Sequence, residues 1–316
     1  MAGFLLRRII YAVPVLIGVT LVVFGMMHVA PGDPAGAMLG PMATPENLTQ
    51  IRRDLGLDRP LYSQYLTWVS HAVRGDLGES IRMATPVRTE VITRFGASLI
   101  LGAASFAIAI TIGIPAGVLS ALRRGTIMDR LVMLVMMAGI SMPPFYLGML
   151  LIVAFAFKIS WFPMSGMYST QGYSGVGDLL GHLVLPAMTL AAAPMTVIAR
   201  MTRSSVLEVI NEDYVRTARA KGLAEQAIVN RHVLKNALIP VVTLLGLQVG
   251  FLLSATALVE VVFSWPGLGQ LLVSAVLARD LPLLQGGVLI IALVYVITNI
   301  VTDTVHATLD PRLHFQ

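Results

Sequence analysis

Six stretches of this chain run for about twenty residues or more without a charged side chain: 9–32, 95–122, 131–157, 179–199, 236–259 and 281–302. A helix that crosses a bilayer needs roughly 20 mostly apolar residues. In lipid every backbone polar group must be satisfied internally, so helices are the natural outcome for segments this long. The pattern predicts an all-α membrane protein with six transmembrane helices. Composition agrees, since the 316 residues are 56% hydrophobic and 12% charged, whereas soluble domains carry about 25% charged residues. The first window, apolar over Ile9–Ala30 behind Arg7 and Arg8, exceeds the roughly 7–15 residues of a signal-peptide core and predicts an uncleaved first span.

A further window, 261–278, opens VVFSWPGLGQ, with Pro266, Gly267 and Gly269 clustered. Irregular backbone is not tolerated against lipid. This window therefore predicts an external loop and a short amphipathic helix that dips back into the protein. The distribution of basic residues sets the orientation. With the N-terminus inside, inner segments hold Arg7, Arg8, Arg123, Arg124, Arg130, Arg200, Arg203, Arg216, Arg219, Lys221, Arg231, Lys235 and Arg312. The short outer loops hold only Lys158 and Arg279. Both termini are expected in the cytoplasm, and the net charge of +5 reflects orientation rather than nucleic-acid binding.

The chain divides into a first span over 1–30, an outer segment over 31–94, a membrane core over 95–305 with a cytoplasmic loop at 204–237, and a tail over 306–316. The outer segment begins PGDP (Pro31–Pro34). It then predicts a helix over Thr44–Leu55, with Thr44 as N-cap, Pro45 in the first turn and Gly56 past the end. A second helix is expected within Arg59–Arg74, with Leu61, Tyr65, Leu66, Val69 and Val73 as its apolar stripe.

Several chemistries are excluded. None of the three lysines follows a glycine, so no phosphate-binding G-K-[ST] loop exists. No histidine precedes a glutamate, and the six histidines lack metal-ligand spacing. Cysteine is absent, which removes disulfides, thiolate metal sites and cysteine nucleophiles. Intramembrane carboxylates, expected of a proton-coupled carrier, are missing, with Glu260 and Asp303 at span ends. The reading is of a non-catalytic chain that binds no metal or cofactor.

What remains is Asp213–Pro240, DYVRTARAKGLAEQAIVNRHVLKNALIP. Gly222 stands where a helix would stop in the left-handed conformation. Ala224–Lys235 has neither Gly nor Pro and is rich in helix formers. This predicts helix, glycine turn, short helix, then return to the membrane. The string DYVRTARAKGL followed by RHVLKNALIPVVT resembles the dipeptide/oligopeptide/nickel branch of bacterial ABC importer permeases. LLRRI, PGDP, LGLDRPLYSQYL, GDLGES, FSWPGLG and the terminal LDPR agree, so the resemblance runs essentially end to end. In the shorter E-A-A-x-x-x-G frame, Ala218 and Gly222 match while Arg216 and Thr217 depart.

The resemblance implies a type I importer permease in the bacterial inner membrane. A second homologous permease, two ATPase subunits that hold ATP and Mg, and an extracytoplasmic substrate-binding protein are the implied partners, besides membrane lipid. Contact with an ATPase subunit falls by resemblance on Arg216, Thr217, Ala218, Lys221, Gly222, Leu223, Ala224, Gln226, Ala227 and Arg231. Pathway candidates come from the residues themselves. Ser141, Met142 and Pro143 lie at a double-proline break within the third span, and broken helices often line cavities. Gln248, Ser254 and Thr256 are polar positions on the fifth. The cargo implied is di- or oligopeptides, with a nickel chelate, glutathione or an opine as alternatives. An ATP-independent carrier is the competing class, and it has no need of a long cytoplasmic docking loop.

Overall fold

The computed structural model describes residues 2–29, 36, 44–54, 56, 58–169 and 175–309. Among these the chain is helical, with one isolated β-bridge between Glu79 and Pro86. The helices are α1 (Ala2–Val29), α2 (Pro45–Asp54), α3 (Leu61–Val73), α4 (Val87–Leu122), α5 (Ile127–Ser141) and α6 (Pro144–Leu151), which continues as a wide π turn through Lys158. They are followed by α7 (Val176–Val209), α8 (Asp213–Ala220) and α9 (Glu225–Ile228), the last running through a second π turn, Val229–Val233, into α10 (Leu234–Val262). Two more, α11 (Leu268–Ala278) and α12 (Leu281–Leu309), complete the order.

Each of the six charge-free windows carries helix. By length and composition, four helical stretches suffice to cross a membrane: Val87–Leu122, Val176–Val209, Glu225–Gly246 and Leu281–Thr302. A fifth is the pair α5 and α6 taken together, bent by 111° at their break. The apolar part of α1, Ile10–Gly25, is shorter. The bend follows from local sterics. A residue before proline is pushed out of the helical region, and here Met142 precedes Pro143, which precedes Pro144. Both adopt extended backbone, with ψ of 135° and 137°.

The described residues form two compact units. One comprises Leu99–Trp265 and Thr302–Gln316. Its centre is α7, which is buried along most of its length and packs most extensively against α10. The rest of α4 crosses α7 at Gly113 and Gly117, four residues apart. A Cβ on Gly113 would lie 2.9 Å from the Met195 carbonyl oxygen, and one on Gly117 only 2.4 Å from that of Ala199. The two backbones touch, as small-residue spacing of this kind permits in membranes. From the other side, Thr196 of α7 donates its hydroxyl to the Met136 carbonyl of α5 at 2.5 Å.

The second unit, Met1–Ser98 with Pro266–Val301, has its core in Leu77, Val87, Val91, Leu268, Leu271, Ala275 and Leu283. Asp280 is its polar hub. Its carboxylate accepts from the Ser80 hydroxyl, the Arg82 amide (3.1 Å) and the Leu283 amide (3.3 Å), the last capping α12. Thr44 caps α2 through the Asn47 amide, and Gly56 is left-handed with φ of 65°, as the sequence predicts.

Other expectations need correction. Helix α4 starts at Val87, eight residues before its charge-free window, because its first turns carry Arg88, Glu90 and Arg94. The apolar stripe of α3 is only half covered: Tyr65 and Val69 are partly buried, whereas Leu61, Leu66 and Val73 are exposed. His182 is buried, with Nδ1 2.9 Å from the Asp178 carbonyl oxygen one turn back. Within 261–278 the helix has eleven residues and buries Leu268, Gly269, Leu271 and Ala275. The PGDP stretch and Asp310–Arg312 lie outside the described residues.

Candidate functional site

Helix α7 ends at Val209, and the chain turns through Asn211 and Glu212 into α8. One face of α8 is apolar, and Val215 and Ala218 are buried. The helix then closes in a Schellman turn. The Gly222 amide donates to the Arg219 carbonyl (2.9 Å) and the Leu223 amide to the Ala218 carbonyl (3.4 Å). Gly222 holds φ at 75°, and a Cβ there would meet nothing within 4 Å. Glycine is required at this point for its backbone freedom alone.

Beyond the turn, α9 is short; Ile228 at its end and Val229 and Val233 of its π extension are buried. Ile228 and Val233, with Val215, Ala218 and Ala237, close on Ala121 of α4 and Val206 of α7. The segment is thus seated on two long helices by an apolar underside. Its outer side is Arg216, Thr217, Arg219, Lys221, Leu223, Ala224, Glu225, Gln226, Asn230 and Arg231, all exposed. Asn236 donates to the Tyr214 hydroxyl at 2.8 Å, which fastens α8 to the start of α10.

Of the residues that sequence assigns to partner contact, Arg216, Thr217, Lys221, Gly222, Leu223, Ala224, Gln226 and Arg231 share this outer surface. Ala227 is half-buried, and Ala218 belongs to the packed underside. Sequence reasoning missed Glu225. Its carboxylate takes both branches of the Arg219 guanidinium, Nη2 at 2.7 Å and Nε at 3.1 Å, in a bidentate pair that spans the glycine turn. The available signal was an acid six residues after an arginine with a helix-stopping glycine between them.

A second missed group lies where α4, α5 and α7 converge. Asp129 is buried near the start of α5, in the frame Thr126-x-x-Asp129, and the Thr126 hydroxyl caps the Asp129 amide. The Asp129 carboxylate accepts from the Ser120 hydroxyl of α4, from the Gly125 amide (2.9 Å) and from Arg203 of α7 through Nε (3.0 Å) and Nη2 (2.9 Å). Such a pair holds when every remaining lone pair finds a donor, as here. The cap was legible in the sequence; the arginine, 74 positions away, was not.

At the α5–α6 bend lies a cavity of about 360 Å³. Met142, Pro144 and Leu147 border it on one side, Thr189 and Pro194 of α7 on another, and Gln248 reaches it from α10. Met142 and Gln248 are therefore brought together, while Ser141, Pro143 and Thr256 are not among its lining. The Ser141 hydroxyl bonds back to the Met137 carbonyl at 2.8 Å, and Thr256 is buried. The Ser254 side chain lies outside the described set. No group of three or more His, Asp or Glu among the described residues is arranged to hold a metal ion.

The described residues thus offer long apolar helices, a glycine-turned segment seated on two of them, and a cavity at a broken helix. The family model described as "Binding-protein-dependent transport system inner membrane component" matches residues 113–315, and its N-terminal companion matches 1–101. The chain belongs to this family, and it is a permease of the ABC importer class. The fold is that of type I importer permeases. A solved structure of the MetNI methionine ABC transporter superposes with a TM-score of 0.56 at 19% identity, covering 70% of this chain and 96% of that one.

Among relatives, the chain is 42% identical to the "Di/tripeptide transport system permease protein DppB" of Pseudomonas aeruginosa, with 100% of each covered. It is 41% identical to the "Dipeptide transport system permease protein DppB" of Escherichia coli K12, with 99% of each covered. It is also 42% identical to the "Glutathione transport system permease protein GsiC" of the same strain, with 100% of each covered.

Proposed function

We propose that this permease carries di- and tripeptides, and that residues 213–233 are where it receives the work of ATP hydrolysis. In this reading the chain crosses the bacterial inner membrane six times, with both termini in the cytoplasm. Residues 31–94 form an outer segment, 95–305 the core with its coupling loop at 204–237, and 306–316 a cytoplasmic tail. A second homologous permease completes the pathway. Two cytoplasmic ATPase subunits hold ATP and Mg and perform all hydrolysis, and an extracytoplasmic binding protein delivers cargo. Helix in each of the six charge-free windows supports the span count. The excess of Lys and Arg on one set of loops supports the orientation.

The observation that carries the coupling role is the Schellman turn at Gly222, with one side of the segment packed on α4 and α7 and the other open. Lys221, Leu223, Ala224, Gln226 and Arg231 offer that open side to the ATPase subunit. Closure of the ATPase pair would displace the segment and, through its apolar underside, the long helices, in a largely rigid-body change of access. The cavity at the α5–α6 bend, bordered by Met142 and Gln248, is the part of this half placed to meet cargo. Glutathione is the second reading, because its permeases match as fully as those for dipeptides.

The test varies backbone tolerance at one position. A β-branched residue at positive φ is a true outlier, whereas asparagine visits that region readily. Gly222→Val is expected to insert normally but to lose ATPase co-purification and uptake. Gly222→Asn is expected to keep most of both. Full uptake by the valine variant at normal expression would remove the coupling role.

A further inference from the structure

Helix α3 buries none of its residues, although it is not a polar helix. Tyr62, Leu66, Val69 and Val73 recur at helical spacing and form one stripe. Tyr62, Leu66 and Val73 are 72%, 62% and 83% exposed. Gln64, Thr67 and His71 occupy the opposite side. No charged residue lies within the helix, but Arg59 precedes it and Arg74 caps it.

The position of α3 is fixed by Tyr65. Its hydroxyl pairs with that of Thr20 at 2.9 Å, and its ring meets Phe24 edge-on at 5.5 Å. Both partners lie in α1, inside the charge-free window, and Phe24 is five residues short of the helix end at Val29. That is about 7.5 Å of helical rise. On α1, Ile17 and Leu21 flank this contact and are about half exposed. So α3 adjoins the flank of an apolar helix below its end, not above it. Thirteen residues are too few to cross a bilayer. A helix with one apolar and one uncharged polar face, held at that depth, matches one lying in the interface plane, whose apolar side sinks about 5–10 Å.

We propose that α3 is a membrane-interface helix, with Tyr62, Leu66, Val69 and Val73 embedded in the lipid leaflet reached by the C-terminal end of α1. Arg59 and Arg74, at its two ends, lie at headgroup level, where guanidinium groups pair with lipid phosphates. The occupant is lipid rather than protein, because α3 is held against α1 beside the exposed apolar residues Ile17 and Leu21. This rests on α1 being a transmembrane span.

The chain has no native cysteine, so a single introduced thiol reports one position once any cysteines of the partner subunits are replaced. The full complex with its ATPase and second permease is reconstituted in phosphatidylethanolamine–phosphatidylglycerol vesicles, with an environment-sensitive fluorophore on Leu66→Cys, Val73→Cys, Thr67→Cys or Ile17→Cys. Labels at 66 and 73 are expected to emit blue-shifted light, to be quenched by spin-labelled lipid and to be spared by aqueous iodide. The label at 67 should behave oppositely. Iodide quenching at 66 and 73 overturns the proposal, since the stripe then faces water. Blue-shifted emission without lipid quenching also overturns it, since a protein partner then covers the stripe. The Ile17 label tests the span separately: without lipid quenching there, α1 is not a span, whatever the labels on α3 report.

Discussion

Two kinds of glycine occur in this permease, and substitution separates them. Gly222 is needed for its dihedral, because a side chain there would meet open space. Gly117 is needed for its missing Cβ, because α7 backbone occupies that place. Next to Gly222, the Arg219–Glu225 pair bridges the two sides of the turn. Both side chains are substantially exposed, so the pair adds under about 1 kcal/mol to stability. Its effect belongs to geometry. Arg219→Glu or Glu225→Arg alone is expected to lower ATPase activity stimulated by the binding protein while leaving thermal stability within about 1 kcal/mol. The double reversal should restore the activity. Failure of the double variant to recover would show that each side chain contacts the partner separately.

Among elements, the α4–α7 crossing is the contact least able to accept change. Gly117→Leu puts a branched side chain where the Ala199 carbonyl, the Thr202 side chain and the Arg203 amide lie. Overpacking of this kind costs about 1–3 kcal/mol. It is expected to lower the detergent melting temperature of the assembled complex, whereas Gly125→Ala, in an open turn, should act only through its φ of 80°. Much at this scale was legible in the sequence. Charge-free windows located six helical stretches because lipid excludes charge. The pair Pro143–Pro144 announced a break because each proline pushes the preceding residue out of the helical region. What stayed hidden has equally physical causes. The start of α4 at Val87 was masked by Arg88, Glu90 and Arg94, since helix formation tolerates charge that lipid does not. The partnership of Arg203 with Asp129 depends on which faces of α5 and α7 meet, and local pattern does not contain that information. Helical periodicity placed Leu66 and Tyr65 on one stripe, yet only Tyr65 found a protein partner.

For the whole molecule, cargo is the open variable. Peptide and glutathione permeases resemble the chain equally over their full length, so identity at this level does not separate the two. Uptake of a labelled dipeptide by cells expressing the complete system is expected to be suppressed by unlabelled dipeptide and tripeptide, and much less by glutathione. Suppression by glutathione alone would reassign the cargo.

The backbone contact of α4 with α7 bears on how such a subunit does work. Side chains between two helices form a compliant layer, able to change rotamer and absorb strain. At Gly113 and Gly117 that layer is absent, so the helices meet there as stiff rods with little play. The segment around Gly222 is seated on these same two helices, and Pro194 of α7 borders the cavity. If the segment receives the stroke of the partner as proposed, that stroke enters a close backbone contact within about two turns of helix of the cavity side of α7. In that reading the joint leaves little slack between the site of the stroke and the site of transport.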